Sequence, residues 1–202
     1  MTFHKSLRFL LAASSLCAAA SASTIFNFDG DSLGTSTKFT DTVNGLSATF
    51  SSDADPGGFV VYTSIFQTLT GNVLGDPGPA GASNLALTVG FSQNLSALTL
   101  NFATDDFGSP SPFTLAAYEN ATLVGSTTSA GNFLSGFTFP EGEIAFAGNA
   151  FNRVVISSTA TDFAVDNINV ITAAPEPAEF GLIGTALLAV GVPALRRRSK
   201  RS

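Results

Sequence analysis

Two stretches near the middle of the chain alternate apolar residues with small or polar ones. Leu85, Leu87, Val89 and Phe91 take every second position in the first. Leu98, Leu100 and Phe102 do so in the second, with Thr99, Asn101 and Ala103 between and after them. A period of two fits a strand with one buried face, whereas the faces of a helix recur about every 3.6 residues. The composition around them agrees. Residues 23–174 are rich in Phe, Thr, Ser, Val, Gly and Asn and poor in Lys, Glu and Arg, which favours strands joined by polar turns.

Further strands are expected at Ile25–Phe28, Leu46–Phe50, Gly58–Thr63, Phe113–Glu119, Thr122–Ser126, Gly136–Phe139, Ile144–Ala147 and Arg153–Ser157. Ile65–Leu69 extends the third of these or forms a short strand of its own. Asn120-Ala121 reads as the turn of a hairpin, and Asp53-Ala54-Asp55-Pro56-Gly57-Gly58 as a turn-rich loop. Gly71–Ser83 is the longest irregular stretch and reads as a loop over one end of the sheets. In Asp162–Ile171 the alternation slips: Phe163 and Val165 share one parity, Ile168 and Val170 the other. A strand cannot change faces without an extra residue, so a bulge is expected near Asp166-Asn167. Nine to eleven short strands without a convincing helix predict an all-β fold, an antiparallel β-sandwich. Sixteen Phe residues lie in this region and supply large apolar filler with no polar atom to satisfy.

Charge and reactive side chains narrow the function. Residues 23–174 carry two basic residues, Lys38 and Arg153, against thirteen acids, a net charge of −11. Such a surface repels nucleic acid and attracts divalent cations. The only Cys and the only His of the chain, Cys17 and His4, fall in the first 22 residues. The region therefore holds no disulfide, no Cys/His zinc site and no Ser-His-Asp or Cys-His machinery.

The two ends read as targeting segments. Lys5 and Arg8, the apolar stretch Phe9–Ala20 and Ala20-Ser21-Ala22 form the three parts of a signal peptide cut after Ala22, with Ala20 as the second choice. Leu16 stands before Cys17 where lipidation needs a small residue. At the other end Pro175-Glu176-Pro177 holds the backbone extended and denies it amide donors. The 16 uncharged residues Phe180–Leu195 would rise roughly 24 Å as a helix, somewhat less than a ~30 Å hydrocarbon core. Arg196, Arg197, Arg198, Lys200 and Arg201 follow and would hold the C-terminus on the cytoplasmic side.

Taken together, residues 175–201 resemble the PEP-CTERM sorting signal, a Pro-Glu-Pro box followed by a short transmembrane helix and a basic cluster. Pro193 departs from that pattern and would kink or shorten the helix. The resemblance implies recognition by an exosortase, a membrane protease with a catalytic cysteine that cuts at or near the box in bacteria making exopolysaccharide. It further implies transient residence in the inner membrane, then display on the cell surface or release into the extracellular matrix. The domain organisation expected is a signal peptide at 1–22, a β-sandwich at 23–174 and a sorting signal at 175–202 with its helix at 180–195.

The strand ending in Phe28-Asp29-Gly30 and the closing Phe163-Ala164-Val165-Asp166-Asn167-Ile168 resemble the ends of jelly-roll domains and of galactose-binding-type carbohydrate modules. In such modules the first and last strands lie side by side, which would bring Asp29 or Asp31 near Asp166 as calcium ligands. No Asp-x-Asp-x-Asp-Gly loop accompanies them, and turn-capping is the simpler reading of all three. Asp53-Ala54-Asp55 and Asp105-Asp106 carry the same two readings. Nothing marks Glu141-Gly142-Glu143 as the carboxylate pair of a glycosidase. The function expected is that of an exported, non-catalytic surface or matrix protein associated with exopolysaccharide. A carbohydrate-binding module is the alternative, and a polysaccharide-acting enzyme the more remote one.

Overall fold

The computed structural model describes residues 23–54, 57–76 and 85–173. The expected signal peptide, the Pro175-Glu176-Pro177 box, the helix at 180–195 and the basic cluster lie outside the described residues. So do Asp55, Pro56 and residues 77–83 of the expected Gly71–Ser83 loop.

Eleven strands follow one another among the described residues: β1 (Ser23–Phe26), β2 (Phe39–Val43), β3 (Leu46–Ser52), β4 (Val60–Thr63), β5 (Asn72–Gly75), β6 (Leu87–Thr104), β7 (Pro112–Glu119), β8 (Thr122–Ala130), β9 (Asn132–Phe133), β10 (Pro140–Ser158) and β11 (Phe163–Thr172). Every pairing is antiparallel. Two strands of 18 and 19 residues, β6 and β10, organise the rest. The first part of β6, Leu87–Phe91, pairs with β3, and its second part, Leu95–Thr104, pairs with β11. β10 runs the other way: Pro140–Ala147 lies against β9 and the second part of β6, and Arg153–Ser158 against β7 and the first part of β6. One layer is therefore β2, β3, the start of β6, the end of β10, β7 and β8. The other holds β9, the start of β10, the end of β6 and β11, with β1 and the β4–β5 hairpin on the far side of β11.

The crossing points are irregular. β6 exposes three residues in a row, Ser92-Gln93-Asn94, and β10 shifts register between Ala147 and Phe151 and again before Arg153. Such irregularities let one strand bend from layer to layer. They also explain a difference from the sequence reading. Leu87, Val89 and Phe91 are buried at odd positions, and Leu98, Leu100 and Phe102 at even ones. The two expected strands at 85–91 and 98–102 are one strand whose parity changes at the bend. The expected strands at 144–147 and 153–157 merge in the same way into β10.

The core lies between the layers and is built largely from Phe. Phe28 meets Phe50 edge-on at 5.4 Å and Phe39 stacks on Phe50 at 5.0 Å. Phe102 stacks flat on Phe113 at 4.0 Å, and Phe113 meets the edge of Phe163 at 5.3 Å. Burying one such ring contributes ~2–3 kcal/mol, and each ring pair ~1 kcal/mol more.

Several local expectations hold. β7 and β8 form a hairpin whose two-residue loop is Asn120-Ala121, with Asn120 at φ +56°. In β11 the register passes from Asp166↔Asn101 to Asn169↔Thr99, three steps against two, so the extra residue sits where parity predicted it; Asn167 there has φ +51°. Others need correction. β2 was not expected; it turns into β3 through Asn44-Gly45, both at positive φ, the preferred pair of a type I′ turn. β5 lies inside the expected Gly71–Ser83 loop, and β9 is a further strand. Ile65–Leu69 and Gly136–Phe139 are not strands.

Candidate functional site

Three neighbouring strands end together at aspartate. β5 stops at Gly75 and leads into Asp76, β6 stops at Thr104 and leads into Asp105, and Asp162 immediately precedes β11. β11 lies between the other two and runs antiparallel to both, so the three residues come to one edge. The backbone holds them there: Asp76 N–H donates to Phe163 O and Asp105 N–H to Asp162 O, each at 3.0 Å. Aspartate suits such a position because its short side chain tolerates the break from extended backbone.

A cleft of about 520 Å³ opens over this edge. Its acidic part is Asp76, Asp105 and Asp162, and its apolar part is mainly Tyr62, Phe66, Phe107, Phe139 and Phe163. Phe139 meets Phe66 edge-on at 5.9 Å and Phe107 at 5.6 Å. Phe107 is 75% exposed and Ile65, also on the cleft, 64%. With Phe66 and Phe139 half-buried beside them, they make a contiguous apolar patch of the kind found at contact surfaces.

Phe66 is held by a buried carboxylate far away in sequence. Glu141, at the start of β10, accepts hydrogen bonds from Gln67 N–H at 2.8 Å, Thr68 N–H at 2.6 Å and the Thr68 hydroxyl at 2.5 Å. Asn101 Nδ2 donates to Thr68 O at 3.3 Å, and Ser64 N–H to Gly71 O at 2.8 Å, which closes the loop. Tyr62 lies over β5 because residue 75 is glycine; a Cβ there would sit 2.7 Å from the Tyr62 hydroxyl.

The cleft is strongly negative. Among the described residues its lining contains no basic side chain. Of the two basic residues among those described, the Arg153 guanidinium lies 4.3 Å over the Tyr118 ring and donates to Asn120 O, and Lys38 is exposed outside the cleft. Burial, with the fields of Asp162, Asp76 and Asp105 added, pushes the Tyr62 hydroxyl up to about 12. Burial and the charge of Asp105 raise Asp162. Asp162 is 9% exposed, and its carboxylate takes no hydrogen bond from the described residues. Asp105 Oδ1 is buried and also without a hydrogen-bond partner. Leaving such oxygens unmatched costs stability, so they are ready to accept from a donor that enters the cleft.

The aspartates singled out in the sequence are placed differently. β1 and β11 do pair, with Phe26 opposite Ile168. Asp29 Oδ1 accepts from Asn72 N–H at 2.8 Å, beside Gly71, where a Cβ would lie 1.8 Å from that oxygen. Asp166 is buried and collared by its own bulge: Asn167 N–H donates at 2.7 Å and Asn167 Nδ2 at 3.0 Å, with a further bond from the Thr70 backbone. Burial still pushes Asp166 up to about 6, and the charge of Asp29 adds to the rise. Asp31 faces Asp41, and its carboxyl is raised by burial and then by Asp41. Asp29 thus comes close enough to Asp166 for its charge to be felt there, as the pairing of β1 with β11 implies, while Asp31 faces Asp41; among the described residues no group of three or more His, Cys, Asp or Glu side chains is gathered for a metal. Asp106 is a turn cap. Burial raises it, but bonds from Ser111 N–H, the Thr104 hydroxyl and the Ser111 hydroxyl outweigh that and lower it. Asp105, its neighbour, belongs to the cleft.

Tyr62, Phe66, Asp76, Phe107, Phe139 and Asp162 were not singled out in the sequence as a site. One signal was available: the Asp105-Asp106-Phe107-Gly108 break puts a large ring among turn residues, where no core can bury it.

No protein-family model matches the chain, and no curated protein does. Among solved structures, the chain is similar to the K2 cleaved adhesin domain of Lys-gingipain, at a TM-score of 0.49 and 16% identity over 74% of this chain and 99% of that one. It is similar to the K1 cleaved adhesin domain of Lys-gingipain from Porphyromonas gingivalis W83, at 0.44 and 10% over 74% and 97%. It is also similar to the CBM22-2 xylan-binding domain of Paenibacillus barcinonensis Xyn10C, at 0.41 and 15% over 74% and 98%.

Proposed function

We propose that this chain is an exported, non-catalytic surface or matrix protein whose jelly-roll-like domain holds polysaccharide in the Tyr62–Phe107–Phe139 cleft. The observation that carries the reading is the cleft itself: the exposed Phe107 ring, with Phe66 and Phe139 half-buried beside it, offers a face to a sugar next to Asp105 and Asp162, whose oxygens can accept hydrogen bonds. Sites for extended polar ligands combine an apolar floor with a few fixed polar groups in this way. Asp105 and Asp162 stand side by side at one sheet edge. A glycosidase sets its two carboxylates about 5–9.5 Å apart across the scissile bond, so the test of this reading includes a measurement of cleavage. The PEP-CTERM-like tail and the signal peptide support delivery through an exosortase to the exopolysaccharide outside the cell.

A panel of soluble polysaccharides tests the cleft. The protein is expected to retain at least one of them and to release no reducing ends. Phe107→Ala, on a side chain 75% exposed, should abolish retention and shift stability by less than about 0.5 kcal/mol. Retention unchanged in Phe107→Ala would remove the cleft from the account, and released reducing ends would make the protein an enzyme. Sorting is tested by intact mass: surface protein from an exosortase-bearing host should lack Phe180–Ser202. A full-length mass throughout would overturn that part.

A further inference from the structure

We propose that the polysaccharide held in the cleft is cationic, an amino-sugar polymer with free protonated amines that bind at Asp105 and Asp162. The inference rests on the glycan-binding reading and narrows it to a class of substrate.

The argument is one of charge complementarity joined to a built cavity. Three carboxylates line the cleft, and among the described residues no basic side chain joins them in its lining. Two of them hold acceptor capacity that the described residues do not use. Asp105 Oδ1 is buried without a partner, and Asp162, nine-tenths buried, takes no hydrogen bond from the described residues. An acidic glycan would be repelled. A neutral glycan could offer hydroxyl donors but would leave the crowded negative charges uncompensated. An ammonium group supplies three donors and a positive charge together. The rings beside the acids add to the same preference, because a cation attached to a sugar is drawn to the face of Phe or Tyr within about 6 Å. A flexible aliphatic polyamine would meet the acids equally well but has no flat face to lay on Phe107 and Phe139, so the aromatic half of the cleft favours the sugar.

The test uses the full chain and three probes: a glucosamine oligosaccharide with free amines, the same oligosaccharide fully N-acetylated, and spermine. The free-amine sugar should bind at least about tenfold more tightly than the acetylated one, the discrimination expected of one charge-assisted contact. That preference should shrink as salt rises and shortens the reach of the cleft's field. Asp162→Asn should remove about tenfold from the free-amine sugar and leave the acetylated one unchanged, since the exchange keeps the side chain's shape and breaks no hydrogen bond. Phe107→Ala should weaken both sugars. Should Asp162→Asn not fold, loss of the amine preference of the parent in 1 M salt stands in for it. Equal binding of the two sugars overturns the proposal and leaves glycan binding standing. Spermine binding as tight as the free-amine sugar and indifferent to Phe107→Ala also overturns it, as plain counter-ion attraction. Failure of both sugars to bind overturns this proposal and counts against the glycan-binding reading as well.

Discussion

Asp162 and Asp166 stand four residues apart, one just before β11 and one within it. Both are buried carboxylates and burial raises both from the ordinary value. They differ in what surrounds the oxygens. Asp166 receives donors from Asn167 and the Thr70 backbone, all supplied by the bulge and the neighbouring loop. Asp162 lies on an open cleft beside Asp105 and receives none from the described residues. A raised pKa is therefore common to a carboxylate collared by its own fold and one that faces an open cleft. The count of satisfied oxygens tells them apart. Glu141 falls on the structural side, with three donors from the 64–70 loop.

The largest effect that sharpens this contrast is expected at Glu141. Glu141→Ala would strand the Gln67 and Thr68 amides and should cost about 3 kcal/mol in chemical denaturation, and it should weaken glycan retention by releasing Phe66. A loss below about 0.5 kcal/mol would show that the carboxylate is not what holds the loop.

A smaller effect separates the two aspartates by pH. The folded-state value of Asp166, about 6, lies above the 3.8 of an unperturbed side chain. The folded protein thus binds protons more readily than the unfolded chain between those values, and its stability rises as pH falls through the window. From pH 7 to pH 4.5 the gain from Asp166 should be about 2 kcal/mol. Asp31, Asp41 and Asp162 are shifted in the same direction and add to it. Asp106 is shifted the other way, and its contribution is lost only below the usual carboxylate range, outside this interval. Asp166→Asn should flatten most of the rise, whereas Asp162→Asn should leave most of it. Equal flattening by both would erase the distinction drawn here.

What could be read in advance was what depends on neighbours in sequence. The parity slip between Val165 and Ile168 announced the bulge, because alternation is a local rule with a fixed period. The Asn120-Ala121 turn was readable for the same reason, and Asn44-Gly45 carries an equally local signal that uncovers β2. β5 was hidden because four residues beside a Gly/Pro run are too few to show a period; its partners, β4 and β11, define it. Ile65–Leu69 looks like a strand by composition, but Glu141, more than seventy residues onward, claims the amides a strand would use. The cleft is more distributed still. Its residues come from five separate parts of the chain, and only the pairing of β5, β11 and β6 brings Asp76, Asp105 and Asp162 to one edge.

The two long strands have a consequence for how the domain comes apart. In many sandwiches each strand belongs to one layer, and a layer can fray while its partner holds. Here β6 and β10 run through both layers and pair with each other in both. Peeling β11 from the second part of β6 loosens a strand whose first part is a spine of the opposite layer. The layers share one fate: slow amide-proton exchange should rise and fall together across both, and the domain opens as a single cooperative unit.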